Sequence, residues 1–199
     1  VMNYLHLPVQ SGSDSMLARM KRTYDRDFYL KCIERLREKM PDITLATDFI
    51  VGFPGETDEE FEESLSLVKE VGFDSGYVFQ YSPRPGTVSA DHLVDDIPLE
   101  VKKERNHLLL DALHTSGKAR NDRFLGRTVE VIAEGPSRTD PTRWAGRARD
   151  HRIAIWPACP DDKAGSFAVV KVNRTSAATL FGERVDGPSE KPILPPEVR

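Results

Sequence analysis

Polar and glycine-rich residues gather at three points of the sequence, each directly after an apolar run. These points are Gln10-Ser11-Gly12-Ser13, Gly52-Phe53-Pro54-Gly55-Glu56 and Ser82-Pro83-Arg84-Pro85-Gly86-Thr87. An amide can pair with hydroxyl and amino groups, a guanidinium pairs with carboxylate or phosphate, and glycine lets the backbone approach a ligand closely. The pattern indicates loops that hold a small polar ligand. Nothing in it resembles an acid–base catalytic group.

Asp48 is the most informative single residue, because it interrupts an otherwise apolar run from Ile43 to Val51. A carboxylate inside such a strand is costly unless it has partners. Those partners are either ligand hydroxyls or neighbouring backbone groups. Ile50 lies two residues further on, on the same face of a strand, and taken alone it is a core residue.

The segments around the three polar clusters alternate between strand-like and helix-like patterns. We predict three strands, over 4–9, 43–51 and 76–81. We predict three helices: one over 25–40, one that starts at the capping pair Thr57 and Glu60 and ends at Gly72, and one from Pro98 to about Arg120. The predicted buried faces are Phe28, Cys32, Leu36 and Met40; Phe61, Leu65 and Val68; and Val101, Leu108, Leu109 and Leu113. Such alternation predicts a parallel α/β sheet with its ligands at the carboxyl ends of the strands. Three strands cannot close a barrel.

After about residue 122 the pattern changes to short β-like runs at 128–133, 152–156, 167–172 and 179–185. Several short strands separated by Gly, Pro, Asp and Ser predict a small all-β barrel. Residues 187–199 contain four prolines and are predicted to be a disordered tail.

Charge differs between the two parts of the chain. Residues 1–120 hold 15 Lys and Arg against 21 Asp and Glu, whereas residues 123–185 hold 11 against 7. The second part contains a basic stretch flanked by two tryptophans: Arg138, Arg143, Arg147, Arg149 and Arg152, with Trp144 and Trp156. Arginines beside aromatic rings suit RNA, because guanidinium groups meet phosphates and rings stack on unpaired bases. The alternative is a solvated face, with Trp156 in the barrel core.

Composition excludes several classes of protein. Apolar residues make up 39% and charged residues 30% of the 199 residues, as in a core-forming domain. No apolar run approaches the roughly 20 residues that span a bilayer. No charged n-region with an apolar h-region opens the sequence, so nothing in it suggests secretion. Cys32 and Cys159 form no CxxC pair, so we predict neither a disulfide framework nor a cysteine metal site. We expect a cytoplasmic protein.

Three motifs, His6–Asp14, Asp48–Glu56 and Tyr81–Thr87, resemble those of the radical S-adenosylmethionine (SAM) methylthiotransferases. Glu134-Gly135-Pro136-Ser137 and Gly146-Arg147 resemble the same family's TRAM domain, a small RNA-binding β-barrel. The resemblance implies that residues 1–121 are the C-terminal part of a partial (β/α) radical SAM barrel. It also implies that residues 122–186 are a TRAM barrel and 187–199 a tail. One departure is His151-Arg152, where the family usually has Asn-Arg.

The resemblance also implies roles for individual residues. For SAM it implies an amide contact from Gln10, a carboxylate contact from Arg22, a ribose contact from Asp48, an adenine contact from Ile50 and close backbone approach at Gly52. For RNA the expected residues are Arg84, Arg143, Arg147, Arg149 and Arg152. From the residues alone, Gln10 could cap a loop, Arg22 could be solvated, Gly52 could form a tight turn, and Arg84 could form an ion pair.

The family reaction implies two [4Fe-4S] clusters besides SAM. The cluster motif CxxxCxxC does not occur here. We therefore expect the ligands upstream of Val1, no metal site in this chain, and no activity of this chain alone. The expected reaction adds a methylthio group to isopentenyladenosine beside the anticodon. The expected partners are the tRNA anticodon stem-loop and the missing N-terminal domains of the same chain, in a monomer without membrane contact. The alternatives are threonylcarbamoyladenosine in tRNA, an aspartate of a ribosomal protein, or an RNA-binding module without catalysis.

Overall fold

The computed structural model describes residues 2–185, and the predicted tail at 187–199 lies outside them. Its elements are β1 (Tyr4–His6), α1 (Asp14–Arg19), α2 (Arg26–Lys39), β2 (Thr44–Val51), α3 (Asp58–Val71), β3 (Ser75–Gln80), α4 (Val88–His92), α5 (Leu99–Asp122), β4 (Thr128–Pro136), β5 (Arg143–Ala148), β6 (Ile153–Pro157), β7 (Phe167–Thr175) and β8 (Thr179–Arg184). They form two compact units, Tyr4–Arg120 and a second that comprises residues 2–3 and those from Asn121 onward.

The first unit is built on a three-stranded parallel sheet in the order β1-β2-β3. Alternate residues of β2 point to opposite faces. Leu45, Phe49 and Val51 are buried in a core shared with α2, α3 and α5. Asp48 and Ile50 lie on the other face and are half-buried. The predicted parallel α/β arrangement is confirmed for the first unit. The Asp48 carboxylate lies on the face of the sheet opposite to Leu45, Phe49 and Val51.

Helix α2 begins where the sequence predicted, because the Asp25 carboxylate accepts the backbone N–H of Phe28 at 2.8 Å. Its predicted buried face is only partly correct, because Leu36 and Met40 pack against the core but Phe28 does not. Phe28 is 58% exposed, whereas Tyr29 and Ile33 are buried. The Tyr29 hydroxyl also donates to the Leu7 carbonyl at 2.8 Å. The same side chain therefore fills the core with its ring and supplies a hydrogen-bond donor to a carbonyl in the loop after β1.

Helix α3 has the predicted capping box between Thr57 and Glu60, and Gly72 ends it in the left-handed conformation at φ 64°. In α5 the predicted buried stripe is only partly correct. Leu109 and Leu113 are buried, but Leu108 is 47% exposed. The stripe continues toward the helix N-terminus through two charged residues, Lys102 and Arg105, which are buried with partners described below.

The second unit contains a closed five-stranded barrel in the order β4-β5-β6-β8-β7. Its core consists of small and branched residues around one large ring: Val129, Val131, Ala133, Ala154, Trp156, Ala168, Val170, Val172 and Leu180. The predicted all-β barrel is confirmed, but the sequence analysis predicts no strand where β5 lies in the basic stretch, and it misses the short helices α1 and α4. Within residues 2–185 no helix has the length and apolar character that crossing a membrane requires.

Candidate functional site

Gln10 joins the loop after β1 to the carboxyl-terminal half of β2. Its N–H donates to the Asp48 carbonyl at 2.8 Å, and its own carbonyl accepts the Ile50 N–H at 2.9 Å. Gln10 has φ 76°, which costs a non-glycine residue about 1 kcal/mol or more. The two backbone bonds hold it in this conformation. They thereby place three predicted site residues, Gln10, Asp48 and Ile50, side by side.

A cleft of about 380 Å³ opens at this end of the sheet. Its wall combines an amide, a carboxylate, two guanidinium groups, hydroxyls and apolar rings, contributed by Gln10, Met20, Arg22, Asp48, Ile50, Phe53, Phe79, Gln80, Tyr81, Ser82, Arg84, Thr87 and Ser89. The volume lies within the range of small-molecule sites. The structure thus brings Gln10, Arg22, Asp48, Ile50 and Arg84 to one cleft, at the carboxyl ends of the strands.

Gly52 does not line this cleft. It has φ 67°, and a Cβ atom there would lie 2.3 Å from Cγ of Lys102. The Lys102 ammonium donates to the Tyr81 carbonyl at 3.2 Å and to Asp95 at 2.5 Å. Gly52 therefore makes room for a lysine that fastens α5 to the loop after β3. Gly52 therefore affects the cleft only indirectly: it leaves space for Lys102, which binds the carbonyl of the cleft residue Tyr81.

A buried ion pair between Glu56 and Arg105 holds the segment from Gly52 to Glu56 in place. Glu56 accepts the Gly52 N–H at 2.7 Å and Nη1 of Arg105 at 2.8 Å, and Arg105 also donates to the Glu56 carbonyl at 3.0 Å. Burial raises the pKa of Glu56, and the Gly52 N–H and the Arg105 guanidinium act in the opposite direction. This ion pair fixes the turn that follows β2.

A second ion pair holds the same turn from α1. Arg19 donates to the carbonyls of Pro54 and Gly55 at 3.2 and 2.7 Å, and to Glu60 at 2.7 Å. Burial raises the pKa of Glu60, but hydrogen bonds from Ser15, the Thr57 N–H and Arg19 outweigh it and leave the pKa below its ordinary value. The glycine-proline turn is therefore positioned by side chains from α1, α3 and α5.

Arg22 and Arg84 are the two guanidinium groups of the cleft, and both are exposed. Each lies in a loop at the strand ends, Arg22 after α1 and Arg84 after β3. A positive pair at a cleft that also holds Asp48 suits a ligand with both an anionic group and hydroxyl groups.

Asp48 has a protein partner that the sequence did not reveal. Nε2 of His6 lies 2.8 Å from Oδ1 of Asp48. The imidazole lies beside Tyr77, with ring centroids 6.2 Å apart, and Tyr77 stacks on Phe79 at 6.4 Å. The face of the sheet that carries Asp48 is therefore lined by rings as well as by the carboxylate.

The predicted RNA-binding arginines fall into two groups in the barrel unit. Arg143, Arg147 and Arg149 reach the surface and pair with acidic neighbours: Asp140 at 3.2 Å, Glu134 at 2.8 Å and Glu130 at 3.3 Å respectively. Arg149 is the most accessible of them, with 72% of its side chain exposed. These are surface ion pairs, each worth at most about 1 kcal/mol, so a phosphate could replace the carboxylate at low cost.

Arg152 belongs to the interior of the barrel unit. It is 8% exposed, its guanidinium lies 4.6 Å from the Phe124 ring centroid, and its Nε donates to Asn121 at 2.8 Å. It also pairs with Asp150. Burial therefore removes Arg152 from the set of surface arginines.

The exposed aromatic residue of the barrel is not one of the tryptophans. Trp156 is fully buried and Trp144 packs against the core. Phe167 is 64% exposed, and it faces Ile132, which in turn faces Arg147, in one row across β7, β4 and β5. A single Phe at the first residue of a strand carries no sequence signal of exposure, which is why sequence reasoning missed it.

Three comparisons with known proteins show what this chain is similar to. Residues 1–68 match the family model described as the Radical SAM superfamily. The tRNA-2-methylthio-N(6)-dimethylallyladenosine synthase of Bacillus cereus (strain B4264) is 43% identical over 190 residues, which cover 96% of this chain and 37% of that protein. The proteins of the same name from Bacillus thuringiensis (strain Al Hakam) and Bacillus anthracis show the same identity and coverage. Both matches agree with the radical SAM methylthiotransferases that the sequence motifs resemble.

The chain spans little more than a third of the length of these relatives. Among solved structures, coproporphyrinogen III oxidase from Escherichia coli, a radical SAM enzyme, matches with a TM-score of 0.50 and 17% identity. The match covers 74% of this chain and 41% of that one. At that identity the likeness supports the fold alone.

Proposed function

We propose that this chain is the C-terminal part of a radical SAM tRNA methylthiotransferase. Residues 4–120 are then part of its (β/α) barrel, and the five-stranded barrel is its TRAM domain. The observation that carries the proposal is the cleft at the strand ends, where Gln10, Asp48 and Ile50 are fixed side by side and two arginines face the same opening. The family relation says which kind of ligand such a cleft takes.

The chemistry of the cleft fits SAM. Asp48 is the acceptor for ribose hydroxyls, Arg22 pairs with the ligand carboxylate, and the Gln10 amide can both donate and accept. Ile50 and Phe79 offer apolar contact to adenine. Bound SAM supplies radical chemistry, whereas the chain's own residues bind it and orient it.

An iron–sulfur cluster does not fit the residues of this chain. Between residues 2 and 185 no group of His, Cys, Asp or Glu is arranged to hold a metal ion, and Cys32 and Cys159 belong to different units. We therefore assign both [4Fe-4S] clusters to a segment outside this chain. This chain alone is then inactive.

The proposed substrate is a tRNA anticodon stem-loop with isopentenyladenosine beside the anticodon. The names of the Bacillus relatives, which specify dimethylallyladenosine in tRNA, support this choice over threonylcarbamoyladenosine or a ribosomal protein. We propose a monomer in which the missing N-terminal domains complete the site. A binding module without catalysis would have no need of the SAM cleft.

We propose that the barrel contacts tRNA through Arg143, Arg147 and Arg149. When RNA binds, a phosphate oxygen would replace the carboxylate partner of each of these arginines. Contacts to phosphates do not read the bases, so binding should not depend on base sequence. Replacing Arg147 and Arg149 by Ala should flatten the plot of log affinity against log salt by roughly 0.7–0.9 for each lost phosphate contact. Filter binding at three salt concentrations measures the slope, with Arg35→Ala and Lys39→Ala on α2 as the control. An unchanged slope would place the RNA surface elsewhere.

The proposed activity has a direct test in cells. The protein that carries this chain together with its cluster-binding segment is expressed in a bacterium that lacks its own tRNA methylthiotransferases. Nucleosides from total tRNA are then separated and weighed by mass spectrometry. We expect 2-methylthio-isopentenyladenosine to appear. Methylthio-threonylcarbamoyladenosine instead would contradict the proposed substrate, and no methylthiolated nucleoside would contradict the activity.

A further inference from the structure

We propose that His6 is a positioning residue of the cleft, which holds the Asp48 carboxylate in the orientation that binds a vicinal diol. This inference rests on the proposed function, because it concerns the residue assigned to the ribose of SAM. It adds a residue that reaches the ligand only through another side chain.

The geometry of two neighbouring strands produces this contact. His6 is the last residue of β1 and lies in register with Ala46 of β2. Asp48 lies two residues further along β2 and therefore on the same face as Ala46. The His6 side chain extends toward it, and Nε2 comes within 2.8 Å of Oδ1. A carboxylate accepts, so the ring donates from Nε2.

The hydrogen bond leaves half of the carboxylate for a ligand. Within residues 2–185, the hydrogen bond from His6 goes to Oδ1, and no protein group donates to Oδ2 of Asp48. The terminal torsion of an Asp side chain has a broad range, so without such a bond the carboxylate has no single preferred orientation. A single partner on one oxygen restricts that torsion and leaves the second oxygen free to accept from a ribose hydroxyl.

The imidazole is itself held in place. Its ring lies 6.2 Å from the Tyr77 ring at an interplanar angle of 40°, and Tyr77 stacks on Phe79, which lines the cleft. His6 is not part of the cleft wall. It therefore acts on a ligand through Asp48.

The test is SAM binding to the full protein, measured by calorimetry for a set of His6 variants. His6→Ala should weaken binding about five- to tenfold, the effect of one net hydrogen bond. His6→Gln, whose amide nitrogen can take the place of Nε2, should restore most of the affinity. In the Asp48→Ala background, His6→Ala should have no further effect, because the residue through which it acts is gone. His107→Ala, at an exposed histidine of α5, is the matched control.

A second readout does not depend on the ligand. The bond from Nε2 requires the neutral ring to be the Nε2–H tautomer, which ¹⁵N chemical shifts report. Asp48→Ala should remove this preference.

Three results would overturn the proposal. They are normal SAM affinity in His6→Ala, the same loss from His6→Ala with and without Asp48, and an Nδ1–H tautomer in the unaltered protein. The proposed function would survive each of them. Absence of SAM binding to the unaltered protein would overturn both the proposed function and this proposal.

Discussion

Two glycines with the same backbone conformation should respond very differently to a single methyl group. Gly52 has φ 67° and Gly72 has φ 64°, so alanine pays the same left-handed strain at both positions, about 1 kcal/mol. Their surroundings differ. A Cβ at Gly72 meets nothing within 4 Å, whereas at Gly52 it would lie 2.3 Å from Cγ of Lys102.

The clash at Gly52 cannot be relieved cheaply. Carbon atoms in contact sit about 3.5–4 Å apart, so the lysine stem would have to move by more than 1 Å. Its ammonium is buried and bound to Asp95 and to the Tyr81 carbonyl. Overpacking of this kind costs about 1–3 kcal/mol beyond the strain. We therefore expect Gly72→Ala to lower the free energy of unfolding by about 1 kcal/mol, and Gly52→Ala by about 2–4 kcal/mol.

Urea unfolding followed by circular dichroism at 222 nm tests this difference. Within residues 2–185 the helices lie between residues 14 and 122, so the helical signal reports mainly on the first unit. Combining Gly52→Ala with Lys102→Ala should cost less than the sum of the two single changes, since the clash is then absent. Equal losses for Gly52→Ala and Gly72→Ala would refute the role given to Lys102.

The ion pairs around the same turn lead to two further expectations. Arg105→Met leaves the Glu56 carboxylate buried without its cation, so we expect it to lower the free energy of unfolding in urea by about 3–5 kcal/mol. Combining Arg105→Met with Glu56→Gln should cost less. A loss under about 1 kcal/mol for Arg105→Met alone would contradict the pairing. The pKa of Glu60 is lower in the folded chain than its ordinary value of 4.5, so its stabilisation is present above that pH and is lost as the pH falls through the folded pKa. Glu60→Gln should flatten the acid side of the stability-against-pH curve, and an unchanged curve would count against the assignment.

Local signals in the sequence were enough to predict the order of the main elements. The Asp25 cap, the Thr57–Glu60 capping box and Gly72 all act within a few residues of themselves. The gathering of Gln10 and Asp48 was also predictable, because parallel strands end on the same edge.

What escaped prediction depends on partners far along the chain. Lys102 and Arg105 are buried because Asp95 and Glu56 meet them, and Arg152 is buried because Phe124 and Asn121 enclose it. A periodicity argument assigns charged residues to the surface and apolar ones to the core. It therefore placed Phe28 and Leu108 in the core, where the fold exposes them, and gave no sign that these three cations are buried.

The bond between His6 and Asp48 escaped for a related reason. It joins residues 42 positions apart, and it depends on the register in which β1 pairs with β2. Nothing near either residue in the sequence shows that they meet.

The most direct test of the account is the affinity of SAM for the full protein with Asp48 replaced by Ala, measured by calorimetry. Charge-assisted hydrogen bonds of this kind are worth about 1.5–3 kcal/mol, so we expect binding to weaken by roughly ten- to 150-fold. Asp42→Ala, at an exposed aspartate before the amino end of the same strand, should bind as the unaltered protein does. Equal affinities for Asp48→Ala and Asp42→Ala would contradict the assignment of this cleft to SAM.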